Sequence, residues 1–373
     1  MFDWLSFRQK DSDFISFFCV HQSQRIMSNV TTSETFVDDV SVSAGGDILY
    51  MIVSAIIAVL TIVGNIGTIL AFWKVSALRE KPSDLLILCL TCADLGVGII
   101  GVYDFPRRVL GYWPYGLIGC QARAMLRDTC LTVGIVSTAA ISYDRFLLVS
   151  REYPKYMKTQ SKSRILCKIA GAWIYGIALG LSEVILWSYI SPPDGLEFDY
   201  DVECRNPVKH NALCSLIYYI LVIFMPLVLV EVFSLLFVHR LNRKLRGVIA
   251  IQPGDLSQTD DTPEEGENNR QLSTSADSSI RNGPNQGGSS PPRKRYMKAA
   301  IVLGALVTVL NICLLPFVLY TLAISLFCPR CNSLIVRDVL ANLIYLNSCL
   351  NPVMYAVTMR KIRVFYKGVL CMR

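Results

Sequence analysis

An all-α membrane protein, a seven-transmembrane helix bundle followed by a short amphipathic eighth helix, is the fold this sequence predicts, and three observations carry the prediction. The 373 residues are 53% hydrophobic and only 17% charged, where soluble domains hold roughly 25% charge. Mean hydropathy is +0.43. The apolar residues are gathered into long blocks with few or no charges, which overrides the several soluble domains that length alone suggests. Collagen-like, disordered and small disulfide-scaffold classes are excluded by the same composition. The net charge of +7 would favour nucleic acid as a partner of a soluble chain, but here Lys and Arg flank the apolar blocks, a signal of membrane topology, and no nucleic acid is expected.

Residues 1–47 form a tail before the first crossing. Residues 1–20 are apolar only in patches broken by Asp3, Arg8, Lys10, Asp11 and Asp13, which makes a poor signal peptide. Residues 1–26 read either as an upstream extension or as part of the natural chain, ahead of a polar stretch from Met27 in which Asn29-Val30-Thr31 marks Asn29 as a glycosylation acceptor.

A span takes about 20 mainly apolar residues, because lipid forces each backbone polar group to bond within its own segment. Residues 48–246 supply five: 48–73 without charge, 85–103 with Asp94, 117–143 with Arg123, Arg127 and Asp128, 169–190 with Glu183, and 210–238 with Glu231. Hydropathy supports the third least, and its flanks demand it. Residues 247–296 turn to Gly, Ser, Asn, Pro, Gln and acids, too polar to offset the entropy of ordering, and read as a disordered third cytoplasmic loop. Residues 297–359 hold two more crossings, 299–328 and 339–359, both uncharged. Residues 360–373 alternate basic and apolar residues, as a short helix on the anionic inner leaflet would. Cys371 beside it is a candidate for palmitoylation.

The loop at 146–168 holds Arg151, Lys155, Lys158, Lys162, Arg164 and Lys168 against Glu152 and belongs in the cytoplasm. The loop at 191–209 holds Asp194, Glu197, Asp199, Asp201 and Glu203 against Arg205 and Lys209 and belongs outside. Seven crossings then place the N-terminus outside and the C-terminus inside. Of the 13 cysteines, Cys89, Cys92, Cys130, Cys313 and Cys349 lie in apolar stretches and read as small buried hydrophobes.

Each segment carries one recognisable element. These are Gly64-Asn65 in the first, LTCADL (90–95) in the second, WPYG (113–116) ahead of Cys120, and ISYDRF (141–146) ending the third. Trp173 follows in the fourth, Pro226 in the fifth, Cys313 with Pro316 in the sixth and NSCLNPVMY (347–355) in the seventh. In this order, with 25 residues from Cys120 to Arg145, they resemble the rhodopsin-like G-protein-coupled receptors over residues 48–370.

The resemblance implies a disulfide between Cys120 and Cys204, both on the oxidising side. Cys328 and Cys331 read as a second, local bridge or as half a zinc site. Asp94 is costly at mid-membrane and should face the bundle interior. There the resemblance implies a cluster with Asn65, Asn347, Ser348 and Asn351 that holds a sodium ion, the alternative being a satisfied polar network; Gly134 stands where many relatives offer a hydroxyl. Pro226, Pro316 and Pro352 each free a carbonyl and kink their helices. Asp144, Arg145 and Tyr355 are carried over as parts of the activation and G-protein coupling machinery. Tyr296 falls where many relatives place an acidic partner for Arg145, which implies a weakened lock and raised basal signalling.

Local phrasing, including Gly-Tyr-Trp-Pro-Tyr-Gly and Tyr345, resembles the biogenic-amine branch, histamine receptors especially. The helix-3 position where amine receptors carry an aspartate is Arg127, and Asp128 comes one residue late, about 100° around a helix. Asp128, Asp104 or Glu183 would have to neutralise Arg127 for an amine to bind. Leu314 and Ser234 are further departures, from a tryptophan and a tyrosine. The implied pocket is polar at Arg127, Asp128, Glu183 and Thr321, aromatic at Tyr218, Tyr219, Phe317 and Tyr345, and apolar at Leu131. Three ligand readings follow: an amine at Asp128 or Glu183, an acid at Arg127, or signalling without ligand. An opsin is disfavoured, since Tyr345 stands in place of the Schiff-base lysine. A transporter or channel finds no internal repeat. An enzyme finds only the scattered Glu183, Glu231, His210 and His239. Expected partners are a heterotrimeric G protein, a small extracellular ligand, receptor kinases, arrestin and lipid, at the plasma membrane.

Overall fold

A computed structural model describes residues 39–187, 189, 199–204, 206–210, 212–250, 292–327 and 334–371. Among these residues every regular element is a helix. The first four long helices are α1 (Asp39–Lys74), α2 (Asp84–Tyr103), α3 (Gly116–Ser150) and α4 (Lys162–Trp187). Helix α5 runs through Ala212–Tyr219, a π-helical turn Ile220–Phe224 and Met225–Ala250. Then come α6 (Pro292–Phe327), α7 (Leu334–Thr358) and α8 (Arg360–Leu370). Helices α1 to α6 each contain a stretch long and apolar enough to cross a membrane. In α7 the apolar residues are diluted by Asn342, Asn347, Ser348 and Asn351. Residues 51–373 form one compact unit, and the described part of residues 1–50 is the leading end of α1.

Helix α3 is the hub, packed against α2, α4, α5 and α6, with α7 closing on α2 and α6. Its central place is why the segment with the poorest hydropathy is nonetheless a span: its charges face protein instead of lipid. Lipid tails are as apolar as leucine, so apolar contact alone does not select the arrangement; close packing and internal polar bonds do. Ile52, Leu60 and Val63 accordingly stay exposed on α1.

Glycines permit the closest approaches. A Cβ on Gly176 or Gly180 of α4 would lie 2.9 Å from the Thr129 carbonyl oxygen or 2.7 Å from that of Met125, both on α3. On α1, a Cβ at Gly64 would meet the Pro352 ring at 3.0 Å, and one at Gly67 the Tyr366 ring at 2.9 Å. Tyr366 hydrogen-bonds to Thr68 at 3.0 Å and donates to the Gly64 carbonyl at 2.9 Å, seating α8 under α1.

Several expected boundaries shift. Helix α1 starts at Asp39, within the tail expected over 1–47. The expected loop 247–296 is helical at both ends, since α5 reaches Ala250 and α6 begins at Pro292. Elongating an existing helix adds one hydrogen bond for each residue fixed, and proline fits a first helical turn. The rest of that loop lies outside the described residues. Helix α4 starts at Lys162 and ends at Trp187, against the expected 169–190. The π-turn in α5 follows from Pro226, which has no N–H to donate; Met225 N–H reaches back to the Ile220 carbonyl.

Candidate functional site

Two ion pairs organise the end of the bundle that carries Cys120. Arg127 donates to both oxygens of its neighbour Asp128, at 2.8 and 3.1 Å. The 100° step that kept Asp128 from replacing Arg127 instead turns it inward, where it is 3% exposed. Glu183 arrives from α4 fully buried and accepts from Asn206 Nδ2 and from the Tyr218 hydroxyl, the latter at 3.4 Å. Tyr218 is also a hydrogen-bond partner of Asp128, and Glu183 acts on the charge of Arg127. Four helical side chains from α3, α4 and α5 thus form one network of two carboxylates, a guanidinium and a phenol.

The second pair is Arg123 with Asp104, a two-pronged contact whose Nη2–Oδ2 arm is 2.8 Å. The Tyr345 hydroxyl reaches the same carboxylate at 3.5 Å, and Arg123 lies 5.8 Å from the Trp113 ring centroid. Asp104 is therefore engaged by Arg123, and Asp128 neutralises Arg127.

The remaining expected pocket residues separate. Tyr218, Tyr219 and Phe317 form an edge-to-face ladder with centroids 5.8 and 6.1 Å apart. Tyr219 and Thr321 line a shallow apolar cleft between α5 and α6 with Ile223, Phe224, Val318 and Leu322. Tyr345 lines a second small cleft with Ser54, Arg108 and Asn342, and it shares with Leu131 the apolar cluster of Val97, Ile100 and Cys130. Leu314 is buried in the core between α3, α5 and α6. Ser234 bonds to the Ser142 hydroxyl at 3.3 Å.

Deeper, Asn351 donates to Asp94 at 2.8 Å, and Ser348 is a second hydrogen-bond partner of that carboxylate. Asn65 donates to the Thr61 and Ser348 carbonyls at 2.8 and 3.2 Å. Its own Oδ1 is buried without a hydrogen-bond donor among the described residues. Asn347 is half-buried, and no hydrogen bond among the described residues joins it to this cluster.

At the opposite end, Asp144 accepts from Gln160 at 2.6 Å and from the Tyr156 hydroxyl at 3.3 Å. Arg145 lies 3.5 Å away. Burial, and then Asp144, push the Tyr156 phenol well above its ordinary pKa, so it stays a donor. Tyr355 is fully buried, Pro316 and Pro352 lie inside α6 and α7, and Cys371 is exposed after α8.

The Cys120–Cys204 disulfide forms, with Cα atoms 5.4 Å apart across a sequence separation of 84. It ties α3 to a loop strapped further by Trp113 N–H to the Val202 carbonyl at 2.7 Å. Cys204→Ser is expected to cost about 2–5 kcal/mol, read as a lower thermal midpoint and reduced surface expression. Unchanged expression and midpoint would show that the backbone strap suffices. Asn29, Cys328 and Cys331 lie outside the described residues.

Asn206, Gln160 and Tyr156 were not singled out from the sequence. They sit in connecting segments, where no periodicity marks a side chain that turns inward.

With that geometry in place, a family model described as "7 transmembrane receptor (rhodopsin family)" matches residues 64–355. The chain is a member of that family. This rhodopsin-family receptor is 27% identical over 331 residues to the alpha-1A adrenergic receptor of Cavia porcellus, covering 87% of the chain and 69% of the relative. It is 33% identical over 140 residues to the alpha-2Da adrenergic receptor of Danio rerio, covering 37% and 34%. It is 28% identical over 143 residues to the muscarinic acetylcholine receptor M3 of Gallus gallus, covering 38% and 22%. The chain thus spans less than two thirds of the second and third of these relatives. The likeness holds at the level of adrenergic and muscarinic receptors, coarser than the histamine phrasing of single motifs. It is a multi-pass membrane receptor and not an enzyme.

Proposed function

We propose that this receptor binds a small cationic amine at the Asp128–Glu183 cluster and activates a heterotrimeric G protein at its Arg145 end. The observation that carries the reading is the convergence of two buried carboxylates from α3 and α4 on the Tyr218 hydroxyl and a single guanidinium, in a chain whose relatives are adrenergic and muscarinic receptors. The basic loop at 146–168 and the acidic loop at 191–209 support a cytoplasmic Arg145 end and an outward Cys120 end. Receptor kinases and arrestin are the further cytoplasmic partners, and the basic α8, with Cys371, lies on lipid headgroups. Around Asp94, carboxylate, amide and hydroxyl oxygens are hard donors suited to sodium, and the buried Asn65 Oδ1 is the atom such an ion would satisfy.

Activation is a population shift. A ligand moves the equilibrium only by binding the arrangement with α6 swung outward more tightly than the resting one. An acidic ligand at Arg127 fits less well, since Asp128 already fills the planar fork of the guanidinium. Signalling without ligand has one observation in its favour: Arg127 already sets a cation against Asp128.

The test is G-protein activation in cells expressing the chain, at rest and with a panel of biogenic amines and carboxylates, with Arg145→Ala and Glu183→Gln as variants. An amine response lost in both variants is expected. Silence to every amine with a response to a carboxylate would move the site to Arg127, and high resting activity lost in Arg127→Ala would favour the ligand-free reading.

A further inference from the structure

Three helices meet on one side chain at the Arg145 end. Lys244 of α5 donates from Nζ to the Val149 carbonyl of α3 at 3.2 Å, and the same ammonium lies 4.7 Å from the centroid of the Tyr296 ring on α6. Val149 stands one residue before the end of α3, so its carbonyl is among the last four that lack a donor within the helix. The negative end of the helix dipole adds to the attraction for a cation there. Tyr296 packs beside Leu147, Leu148 and Tyr156, and its ring meets a part-buried ammonium in cation–π attraction.

One helical turn before Val149 on the same face of α3, the Arg145 side chain is 13% exposed. Its Nε is buried with no hydrogen-bond partner among the described residues. A buried donor left unmet is unfavourable, so Arg145 Nε adds nothing to the hold of α6 on α3. Asp144 does not supply that hold, because its ties run to Tyr156 and Gln160 of the segment following α3. Beside the apolar core that α3, α5 and α6 share through Val149, Leu241 and Leu303, Lys244 and Tyr296 form a polar contact that spans all three helices.

We infer that Lys244 is a clasp: by bridging the carbonyl end of α3 to the Tyr296 ring of α6, it holds the cytoplasmic end of α6 closed over Arg145. The side-chain chemistry makes the clasp specific. It requires a cation at position 244 and an aromatic face at position 296, but no phenol hydroxyl. Lys244→Arg and Tyr296→Phe keep it; Lys244→Met preserves the aliphatic stem and removes the charge; Tyr296→Ala removes the ring. Lys244 and Tyr296 are positioning residues, acting on Arg145 by keeping it covered. The consequence for signalling rests on the G-protein reading above, but the opening of α6 does not.

The experiment uses the full chain purified into nanodiscs, with exposed Cys92, Cys167 and Cys371 changed to serine. Spin labels go on Ser150→Cys and Met297→Cys, both exposed. The α3–α6 distance distribution is read beside nucleotide exchange on a panel of purified heterotrimeric G proteins. Tyr296→Ala is expected to raise the open population about fivefold, the size of one cation–π contact, and Lys244→Met, which also loses a hydrogen bond from a charged group, by roughly tenfold or more. Lys244→Arg and Tyr296→Phe should remain closed, and the double variant should open no further than Lys244→Met alone. Widening without exchange on any G protein supports the clasp and counts only against the transducer reading. An unchanged distance in Lys244→Met overturns the clasp even if exchange changes, since Lys244 then acts on the G protein itself. Opening in Tyr296→Phe equal to that in Tyr296→Ala overturns it too, because the hydroxyl would then be the tie.

Discussion

Gly180→Leu is expected to weaken ligand-stimulated signalling strongly and to lower the thermal midpoint of the purified receptor, the larger of the two packing effects available on α4. A Cβ at this position would lie 2.6 Å from Thr129 Oγ1 and 2.7 Å from the Met125 carbonyl oxygen. The first neighbour can rotate away; the second is helix backbone and cannot. Overpacking of this kind costs about 1–3 kcal/mol where side chains can give way, and rigid backbone puts the cost at the upper end. The functional loss follows from geometry. Glu183 stands three residues further along α4, on the same face as Gly180, so pushing α4 off α3 carries Glu183 away from Tyr218 and the Asp128 network. Potency for an activating amine should fall roughly tenfold or more, since a displacement of about 1 Å at a positioned group is enough for large losses. Gly304→Ala is the control: nothing lies within 4 Å of its Cβ, and helix interiors gain about 0.5–1 kcal/mol from alanine in place of glycine. A Gly180→Leu receptor that responds normally would show that the α3–α4 approach does not position Glu183.

The same glycines show how far the sequence could be read. Apolar blocks and flanking charges located all seven long helices of the bundle, six of them apolar enough among the described residues to cross a membrane, because lipid imposes one simple rule on every segment. They located the ends less well: α1 runs back to Asp39 and α5 on to Ala250, since a helix once formed extends through residues that would not start one. Motif order pointed to the disulfide and to the Asp94–Asn351 contact, both of which form. The sequence marked Asp128 and Glu183 as acids inside spans and as candidate anchors, but not that Arg127 would turn onto its own neighbour, leaving Asp104 to Arg123. That choice depends on helix rotation, which apolar periodicity fixes poorly in a helix buried on most sides. Gln160, Tyr156 and Asn206 were illegible for a different reason, as polar residues in polar connections. Lys244 was one basic residue among several at the loop edge; only the tertiary structure sets its ammonium over Tyr296.

Removing the guanidinium is the second large effect. Arg127→Ala should lower the thermal midpoint strongly, because Asp128 is then left buried without its two-pronged partner, at 4% side-chain exposure, and breaking one side of such a pair costs about 3–5 kcal/mol. Removing both charges together is different. Arg127→Met with Asp128→Leu leaves no buried carboxylate at that position and should recover most of the midpoint, while the amine response stays lost if Asp128 is part of the anchor. The single variant also separates the ligand classes. The space vacated beside Asp128 fits a small cation, so an amine or free guanidinium should raise the midpoint of Arg127→Ala more than that of the parent receptor, in proportion to how tightly it binds. A carboxylate should do nothing, having lost its only proposed anchor. If Arg127→Ala is as stable as the parent and a carboxylate still protects it, then Arg127 neither balances Asp128 nor receives an acid, and the cluster at the Cys120 end has another purpose.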